Sequence, residues 1–592
     1  MSGESDNCYD FEHFRVDPRK RLLSARGEPV PLPPKALDLL VLLVQNSDRV
    51  LKKEELMQAL WPDAAVEESN LTQNIFLLRK AFGEGAHDHR YIVTVPGRGY
   101  RFVSHVRYVA GVGAASGAEG WVKTVPDESH LAFRSIAVLP FRPLSADPAE
   151  EYLGHGIAEA LTARLASIHR LTVRPVVGAA FKHSGSGQDA LRAGRRLGVA
   201  SVLCGTLQRS GERVRITVQI VRVRDRSLEW AKQLEASLTD IFAFQDTIAE
   251  QVVSAVTLEL TSEERKRLQR RYTKNTEAYL TYLKGRYFWN KRTPEGLQRA
   301  VECFEQASRQ DPGYALAYAG LADCHNMLAC YSVRPPPEVW PKARAAAIRA
   351  LENDDQLAEA HAALALVQIG CDWDWAGAER ECQRALDLNP NYATAHDCYA
   401  EYWTAMGRHE QAITAIRRAQ ELEPLSLIIN CDVGCNLFRA RRYQEAVEQL
   451  RNTIEMDSSF ALAHWSLGWA YEARGLYPEA LSQFEEAFKL FDDGPPMLAS
   501  KGHAFAACGN TGEAHKVLGQ LLEICGQRYV SPYDLALLYA GLGEKAQAFD
   551  WLEKACQDRP FDLVYLKVEP RLDPLRSDRR FENLLQRVGL TQ

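Results

Sequence analysis

A period of 34 residues runs through the second half of the chain. Two antiparallel helices cross closely only where their side chains are small, and small residues recur at this spacing. Each period is therefore predicted to be one helix pair, which hides its apolar face by stacking on the next pair. The three recurring series are Ala378, Ala412, Ala446, Ala480, Ala514 and Ala548; Ala385, Ala419, Thr453, Ala487, Leu521 and Ala555; and Ala400, Gly434, Gly468, Gly502 and Ala536.

Proline ends the second helix of two periods, at Pro390 and Pro424, and an insertion at 332–341 breaks the register upstream. The period and these positions resemble the tetratricopeptide repeat (TPR), which implies an all-α solenoid over residues 274–592. The residues from 568 onward depart from the repeat and are predicted to form a C-terminal cap. The resemblance implies a protein or peptide ligand on the concave face of the TPR solenoid.

The first hundred residues have a different pattern, in which three apolar stripes at helical spacing precede a hairpin. Weak alternation over 1–31 predicts short strands before these helices. The hairpin runs from Tyr91 to Val103, with a glycine-rich tip at 96–99, so this part is predicted to be α+β. The stripes are Leu37, Leu40, Val41 and Val44; Leu51, Leu56 and Leu60; and Leu71, Ile75, Leu78 and Phe82.

Residues 32–102 resemble the winged-helix DNA-binding domain of the OmpR/PhoB family, with VEESNLTQNIFLLRKAFG at the recognition helix and YIVTVPGRGYRF at the wing. The resemblance implies a winged helix-turn-helix domain over 1–107 that binds double-stranded promoter DNA as a homodimer. It also implies contact between the loop 61–66 and RNA polymerase. Because the segment before Cys8 leaves no room for a receiver domain, we expect a one-component regulator of the CadC/HilA kind.

The polar face of the third helix carries side chains suited to reading DNA. Asparagine and glutamine donate and accept together, so they can pair with an adenine edge in the major groove. Serine, lysine and arginine suit phosphate oxygens, and the hairpin tip can reach the minor groove or the backbone. The resemblance favours this interpretation over a merely solvated helix face. The predicted DNA-binding residues are Ser69, Asn70, Gln73, Asn74, Arg79 and Lys80 on the helix, and Thr94, Arg98 and Tyr100 on the wing.

The chain departs from the family pattern in two ways. Family members often carry arginine or histidine on the helix face where this chain has Ser69, Asn74 and Leu77. Pro33 and Lys52 stand where a capping serine or threonine is common. Because fewer cations release fewer counterions from DNA, we expect affinity to depend on dimeric or tandem sites.

The region 134–262 reads as an α/β domain behind a small-residue, glycine-rich linker at 108–133. Strands are predicted over 135–141, 199–207 and 213–223, and amphipathic helices over 158–168 and 239–260. The stretches PFRPLSADPAEEYLGHGIAEALTARL and RRLGVASVLCGTLQRSGERVRITVQIV resemble the amino-terminal domain of the TolB family. The fold class is therefore multidomain: α+β winged helix, α/β TolB-like domain, then all-α TPR solenoid.

Composition limits the classes of partner and compartment. A net charge of −6 means that any nucleic-acid contact must be local. The 13 cysteines are scattered and form no CxxC pair, which indicates reduced thiols in a cytoplasmic protein. The longest apolar run, 39–44, is far too short to span a membrane, and the first residues lack the apolar core of a signal peptide.

No group of residues predicts catalysis, a cofactor or a metal site, so we expect that the chain is not an enzyme. The sequence His87-Asp88-His89 lacks supporting ligand spacing and is interpreted as a polar loop. Cys431 and Cys435, one helical turn apart, are interpreted as buried packing residues. The run Ser184–Gly187 lacks the lysine of a phosphate-binding loop.

These patterns predict a one-component, sequence-specific transcriptional regulator with a TPR protein-interaction region. An alternative is a TPR scaffold or signalling adaptor in which the winged helix no longer binds DNA. The two alternatives differ in salt dependence, because DNA binding falls steeply with ionic strength and peptide docking much less. A third hypothesis, an accessory protein of nucleotide-cyclase signalling, rests only on the resemblance of the middle domain.

Overall fold

The computed structural model describes residues 7–110, 135–255, 261–491 and 494–591, apart from short stretches within the first three ranges. The chain divides into two compact units, Met1–Thr124 and Val125–Gln592. Among the described residues, no helix has the length and apolar character that crossing a membrane requires.

Unit 1 is built from a five-stranded sheet, three helices and a three-stranded sheet. Its elements are β1 Asn7–Phe11, β2 Phe14–Asp17, β3 Leu22–Ala25, β4 Glu28–Val30, α1 Pro34–Gln45, β5 Leu51–Lys52, α2 Lys53–Leu60, α3 Glu68–Ala81, β6 Ile92–Val95, β7 Gly99–Phe102 and β8 Arg107–Ala110. The larger sheet has the order β4-β3-β2-β1-β8, and β8 is antiparallel to β1 with Tyr108 opposite Tyr9. The linker predicted from residue 108 therefore begins too early, because 108–110 still pair with the first strand.

The apolar stripes predicted for the three helices form the core of unit 1. All of their members are buried except Val41, which is half-buried against the same core. Leu51, predicted for the second helix, lies instead on β5, and Phe82 directly follows the end of α3. Helix α1 begins after Pro33 without a side-chain cap, as its sequence predicts, and Pro34 occupies the first turn, where a missing N–H costs no hydrogen bond.

Five aromatic rings join the two sheets of unit 1. Phe11 lies with its ring centroid 5.0 Å from Phe102, and Phe82 lies 4.9 Å from Tyr91 and 5.1 Å from Phe14. Most of these contacts are edge-to-face or tilted, which is the favourable arrangement for aromatic quadrupoles. We call Phe11, Phe14, Phe82, Tyr91 and Phe102 the aromatic nucleus.

Unit 2 begins with an α/β domain around a mixed six-stranded sheet. Its elements are β9 Ser135–Val138, β10 Arg142–Pro143, α4 Pro148–Ala166, β11 Thr172–Pro175, α5 Gly187–Leu197, β12 Ser201–Ser210, β13 Arg213–Arg222, β14 Leu228–Ser237 and α6 Ile241–Ala255. The strand order is β11-β9-β12-β13-β14, with β10 beside β12; β9 is parallel to its neighbours and the last three strands are antiparallel. The sequence analysis did not identify β14 or α5.

A buried carboxylate closes the first loop of the α/β domain. Glu150, in the first turn of α4, is 1 % exposed. Its oxygens accept the backbone N–H groups of Leu144, Ser145 and Arg209 at 3.1, 3.1 and 2.7 Å. Because its charge is satisfied by three donors and the helix N-terminus, Glu150 acts as a structural clamp.

The rest of unit 2 is a stack of helix pairs. The helices are α7 Thr276–Trp289, α8 Pro294–Gln310, α9 Ala315–Cys330, α10 Pro336–Asn353, α11 Ala358–Val367, α12 Trp375–Leu388, α13 Ala393–Ala405, α14 His409–Leu422, α15 Leu427–Arg439, α16 Tyr443–Met456, α17 Ala461–Ala473, α18 Tyr477–Leu490, α19 Pro495–Ala507, α20 Thr511–Cys525, α21 Pro532–Gly541, α22 Lys545–Asp558 and α23 Arg579–Val588. We call the helices that carry the third recurring series, such as α13, α15 and α17, the first helices of their pairs.

The recurring small residues lie where paired helices cross, as predicted. Both alanine series are buried. A Cβ added at Gly434 would lie 2.4 Å from Leu450 Cγ, and one at Gly468 would lie 2.4 Å from the Phe484 ring. A larger residue fits these crossings only if the facing Leu450 or Phe484 side chain is displaced.

The α/β domain and the helix pairs share a core. Tyr279 on α7 exchanges hydrogen bonds with Gln245 on α6 at 2.8 and 2.9 Å, and Leu283 packs in the core cluster of α4. On the other face of the sheet, Leu425 and Met456 from the array pack against α5 and β12. The middle region is therefore a structural part of unit 2.

A second 34-residue period appears in the turns between paired helices. Gly407, Gly475, Gly509 and Gly543 have left-handed φ values of 72–84°. The equivalent positions in two other pairs hold Trp373 and Arg441, with φ of 56° and 61°. A left-handed conformation in a non-glycine residue is costly, so contacts elsewhere must stabilise these two turns.

The residues that follow α22 supply those contacts. We call 559–578, which contains 3₁₀ turns at Phe561–Tyr565 and Pro570–Leu575, the C-terminal segment. The Arg559 guanidinium lies 4.4 Å from the centre of the Trp373 ring, and Asp573 forms two 2.8 Å hydrogen bonds with Arg441.

The C-terminal segment lies along the first helices rather than only at the end of the array. The Tyr565 hydroxyl donates to Glu401 on α13, and Arg439 on α15 stacks 3.5 Å from the Tyr565 ring centre. Trp340 Nε1 donates to the Arg559 carbonyl at 3.1 Å. The C-terminal segment, which begins before the predicted cap, thus fills part of the inner face formed by the first helices.

We expect the stability of unit 2 to fall as pH rises from about 4 to about 8. Burial raises the pKa of Asp534 on α21 to about 8, with a contribution from Asp562, while Arg571 opposes the shift. The folded chain therefore holds a proton that an unfolded aspartate, with a pKa of about 3.9, has lost. In the Asp534→Asn variant, the free energy of unfolding should fall less steeply with pH, by up to about 1.4 kcal/mol per pH unit. Urea unfolding at about pH 5, 6 and 7 measures this slope. An unchanged slope in this variant would contradict the prediction.

Candidate DNA-binding surface

Helix α3 packs against α1 and α2 and buries one of its faces there. Leu71, Ile75 and Leu78 are at most 2 % exposed and fix the orientation of the helix. At 3.6 residues per turn, positions 69, 73 and 80 lie opposite this buried stripe, and position 70 lies beside them. The backbone therefore places the predicted recognition positions on the outer side of the helix. The structure does not describe the side chains of Ser69, Asn70, Gln73 and Lys80.

Two predicted contact residues flank that outer side. Asn74 and Arg79 are half-buried at its edges. Arg79 donates hydrogen bonds to the Ile92 carbonyl and to the Thr94 hydroxyl, both at 2.9 Å. Since both acceptors lie on β6, Arg79 ties the helix to the hairpin. Thr94 keeps an exposed position on β6, as the prediction requires.

Tyr100 corrects the prediction for the wing. Its side chain is 4 % exposed and belongs to the core cluster of unit 1. Side chains alternate across a strand, so Tyr100 and Phe102 face inward while Arg101 between them is exposed. Arg101 is therefore the cation that β7 offers to solvent, and the alternation of the sequence YRF was the signal for it.

The hairpin approaches β5 too closely for any side chain at one position. A Cβ on Gly99 would lie 1.9 Å from the Leu51 carbonyl oxygen, and φ is 153°. Glycine at this position lets β7 pair with both β5 and β6. The other predicted features of this region, Arg98, the loop 61–66 and the run 87–89, lie outside the described residues.

Comparison with known proteins shows what this arrangement resembles. Residues 27–102 match the family model described as "Transcriptional regulatory protein, C terminal", and residues 432–495 match a tetratricopeptide repeat model. The transcriptional regulator HilA of Salmonella typhi is 25% identical over 574 residues, which span 96% of this chain and 90% of HilA. The transcriptional activator CadC of Escherichia coli is 37% identical over 89 residues, 15% of this chain and 17% of CadC.

The chain is an OmpR/PhoB-like transcriptional regulator with TPR repeats. It is a DNA-binding protein, and the matched residues 27–102 contain α2, α3 and the β6–β7 hairpin. A further relative of this regulator is named "Putative adenylate cyclase 3", from Rhizobium meliloti, with 32% identity over 188 residues, 32% of each chain.

Proposed function

We propose that this regulator reads promoter DNA with the outer side of α3 and the exposed edge of the β6–β7 hairpin. The observation that carries the proposal is the Arg79 bridge, because it fixes the hairpin relative to the helix within the matched domain. A fixed angle between helix and hairpin lets one domain contact a major groove and its neighbouring backbone together.

The residues then take different roles. Asn70, Gln73 and Asn74 contact base edges, because their amides can pair bidentately with adenine. Cations contact phosphates and give affinity without sequence preference. The phosphate set comprises Ser69, Lys80, Thr94, Arg98 and the exposed Arg101, with Arg79 positioning the hairpin and Tyr100 supporting it from the core.

Replacing Asn70 and Asn74 by alanine should abolish sequence preference. Each bidentate base contact contributes about 1–3 kcal/mol of discrimination, so the double variant should bind operator and scrambled DNA almost equally. Lys80→Ala should instead weaken binding to every sequence and lower the salt slope by about 1. Footprinting of the full chain on its upstream DNA, at two salt concentrations and against a scrambled duplex, measures both effects.

The outcome also separates the two main hypotheses. Full discrimination in the Asn70→Ala, Asn74→Ala variant would reject the proposed recognition side of α3. Wild-type binding that is equal on scrambled DNA, or insensitive to salt, would favour the TPR scaffold hypothesis instead.

The remaining assignments extend this proposal to the whole chain. We propose a DNA-binding domain over 1–110, a linker over 111–133, a TolB-like domain over 134–262 with a role in sensing or oligomerisation, and a TPR array over 274–592. Dimerisation on DNA, contact with RNA polymerase, a cytoplasmic location and the absence of enzymatic activity belong to the same proposal.

TPR repeats imply protein interaction, and the C-terminal segment restricts where a partner can bind. Glu401 and Arg439 on the inner face already contact Tyr565, and the Arg571 guanidinium lies 4.9 Å from the Trp469 ring centre. A ligand on the concave face must therefore bind beside the C-terminal segment or displace it. We propose that the partner docks on the part of the array that this segment leaves uncovered.

A further inference from the structure

Helix α15 brings two thiols and a carboxylate together. Cys431 and Cys435 are one helical turn apart, and Asp432 directly follows Cys431 within that turn. Their Sγ atoms and a carboxylate oxygen all lie within 4.8 Å of one another. The sequence spacing alone predicted packing, because it did not show that the carboxylate reaches the thiols.

The donors are held by two neighbouring first helices. Ser466 on α17 places its hydroxyl 3.6 Å from Cys431 Sγ and 3.2 Å from Cys435 Sγ. Cys431 is 1 % exposed and Cys435 is 8 % exposed, while Asp432 is half-buried. Donors on rigid, packed helices lose little conformational freedom on binding a ligand, so the cluster is preorganised.

The surroundings of the cluster are acidic. Asp397 on α13 lies within electrostatic range of both Asp432 and Cys435, and Glu401 adds a further carboxylate. Two cations, Arg292 and Arg439, lie near these groups and partly offset their negative charge. One buried oxygen of Asp397, Oδ1, has no hydrogen-bond partner among the described residues. A cation bound at the cluster would offset this local negative charge.

We propose that Cys431, Asp432 and Cys435 bind a divalent, thiolate-seeking metal ion of the Zn²⁺ class. Two thiolates and a carboxylate supply three of the four ligands that such an ion takes in tetrahedral sites. The fourth position is open to water. Binding replaces the two thiol protons with the metal and releases both protons to solvent.

The site has a structural link to the C-terminal segment. Arg439 lies one turn after Cys435 on the same helix and stacks on Tyr565. A metal at Cys435 would therefore rigidify the end of α15 that holds the segment. This inference concerns the array alone and does not rest on the proposed DNA contacts.

Cadmium titration of the reduced, metal-free full chain tests the site, because Cd²⁺ bound to thiolate has an ultraviolet charge-transfer absorption. The wild type should saturate with one Cd²⁺ at this site, and Zn²⁺ should displace it. Cys431→Ser and Cys435→Ser should each lose the absorption, and Asp432→Asn should weaken binding at least about tenfold.

Cys382→Ser is the matched control. Cys382 and Cys398 are a buried pair with Sγ atoms 3.7 Å apart, but within the described part of the chain no third metal-ligating group joins them. This variant should keep the absorption. The proposal fails if the wild type shows no saturable band, or if the band survives in Cys431→Ser and Cys435→Ser. Should a serine variant fail to fold, the wild-type titration and Asp432→Asn still decide the matter.

Discussion

Replacing Arg439 by alanine should release the C-terminal segment from the array. Arg439 is 6 % exposed; burial opposes its charge, but nearby Tyr565 and Glu401 keep its pKa raised, so the side chain stays charged in the core. Its contact with the Tyr565 ring, 3.5 Å to the centre, is a desolvated cation–π interaction, whose loss costs about 2 kcal/mol. Glu401 would then keep only its hydrogen bond from Tyr565.

Two measurements check this outcome. Urea unfolding of the full chain should give a free energy of unfolding lower by about 2 kcal/mol. Hydrogen exchange should show faster amide exchange over 559–578, because that segment loses the ring contact of Tyr565 with Arg439.

A neighbouring arginine provides the control. Arg442 forms an ion pair with Glu445 at 2.6 Å, with side chains 38% and 47% exposed. An exposed pair of this kind contributes at most about 1 kcal/mol, so Arg442→Ala should change little. Equal losses in Arg439→Ala and Arg442→Ala would show that Arg439 does not anchor the segment.

The helix pairs could be predicted because their signal is local. Ala412 and Ala446 mark crossings inside successive pairs, and the same small residue solves the same contact each time. The stripes of α1 and α3 are local in the same sense, because one buried face of a helix needs only the 3.6-residue period. Strands Ser201–Ser210 and Arg213–Arg222 lie close to the predicted strands 199–207 and 213–223, because alternation along a strand is also a local pattern.

Contacts between distant parts of the chain could not be predicted. The sequence does not show that 559–578 returns to the inner face. It therefore could not show that the left-handed residues Arg441 and Trp373 contact Asp573 and Arg559. The pairing of β8 with β1, across almost a hundred residues of sequence, was missed for the same reason.

In the candidate DNA-binding surface, too, local features could be predicted and long-range contacts could not. Helical spacing was enough to assign positions 69, 70, 73 and 80 to the outer side of α3, because that depends on the buried stripe alone. Tyr100 was misassigned, since a tyrosine near a glycine-rich tip suits either a contact or a core. Only the packing of the folded unit, in which Tyr100 is 4 % exposed, shows that it lies in the core.

Replacing Phe102 by alanine should unfold the DNA-binding unit under conditions in which the wild type is folded. Phe102 is fully buried, and its ring lies 5.0 Å from Phe11 and 6.5 Å from Phe82. Truncating a buried phenylalanine costs about 3–5 kcal/mol, a large share of the stability of a domain of this size. Because these rings join β7 to β1 and to the end of α3, both the helix and the hairpin lose their support.

The Phe102→Ala chain should therefore lose its footprint at every salt concentration and lose hydrogen-exchange protection in β1, α3 and β7. Val103→Ala, at a neighbouring position that is 43% exposed, should keep both, because an exposed side chain contributes within about 0.5 kcal/mol. A protected β1 with no footprint would mean that Phe102 affects the DNA-binding surface directly. An intact footprint with protected strands would show that the aromatic nucleus does not hold the unit together.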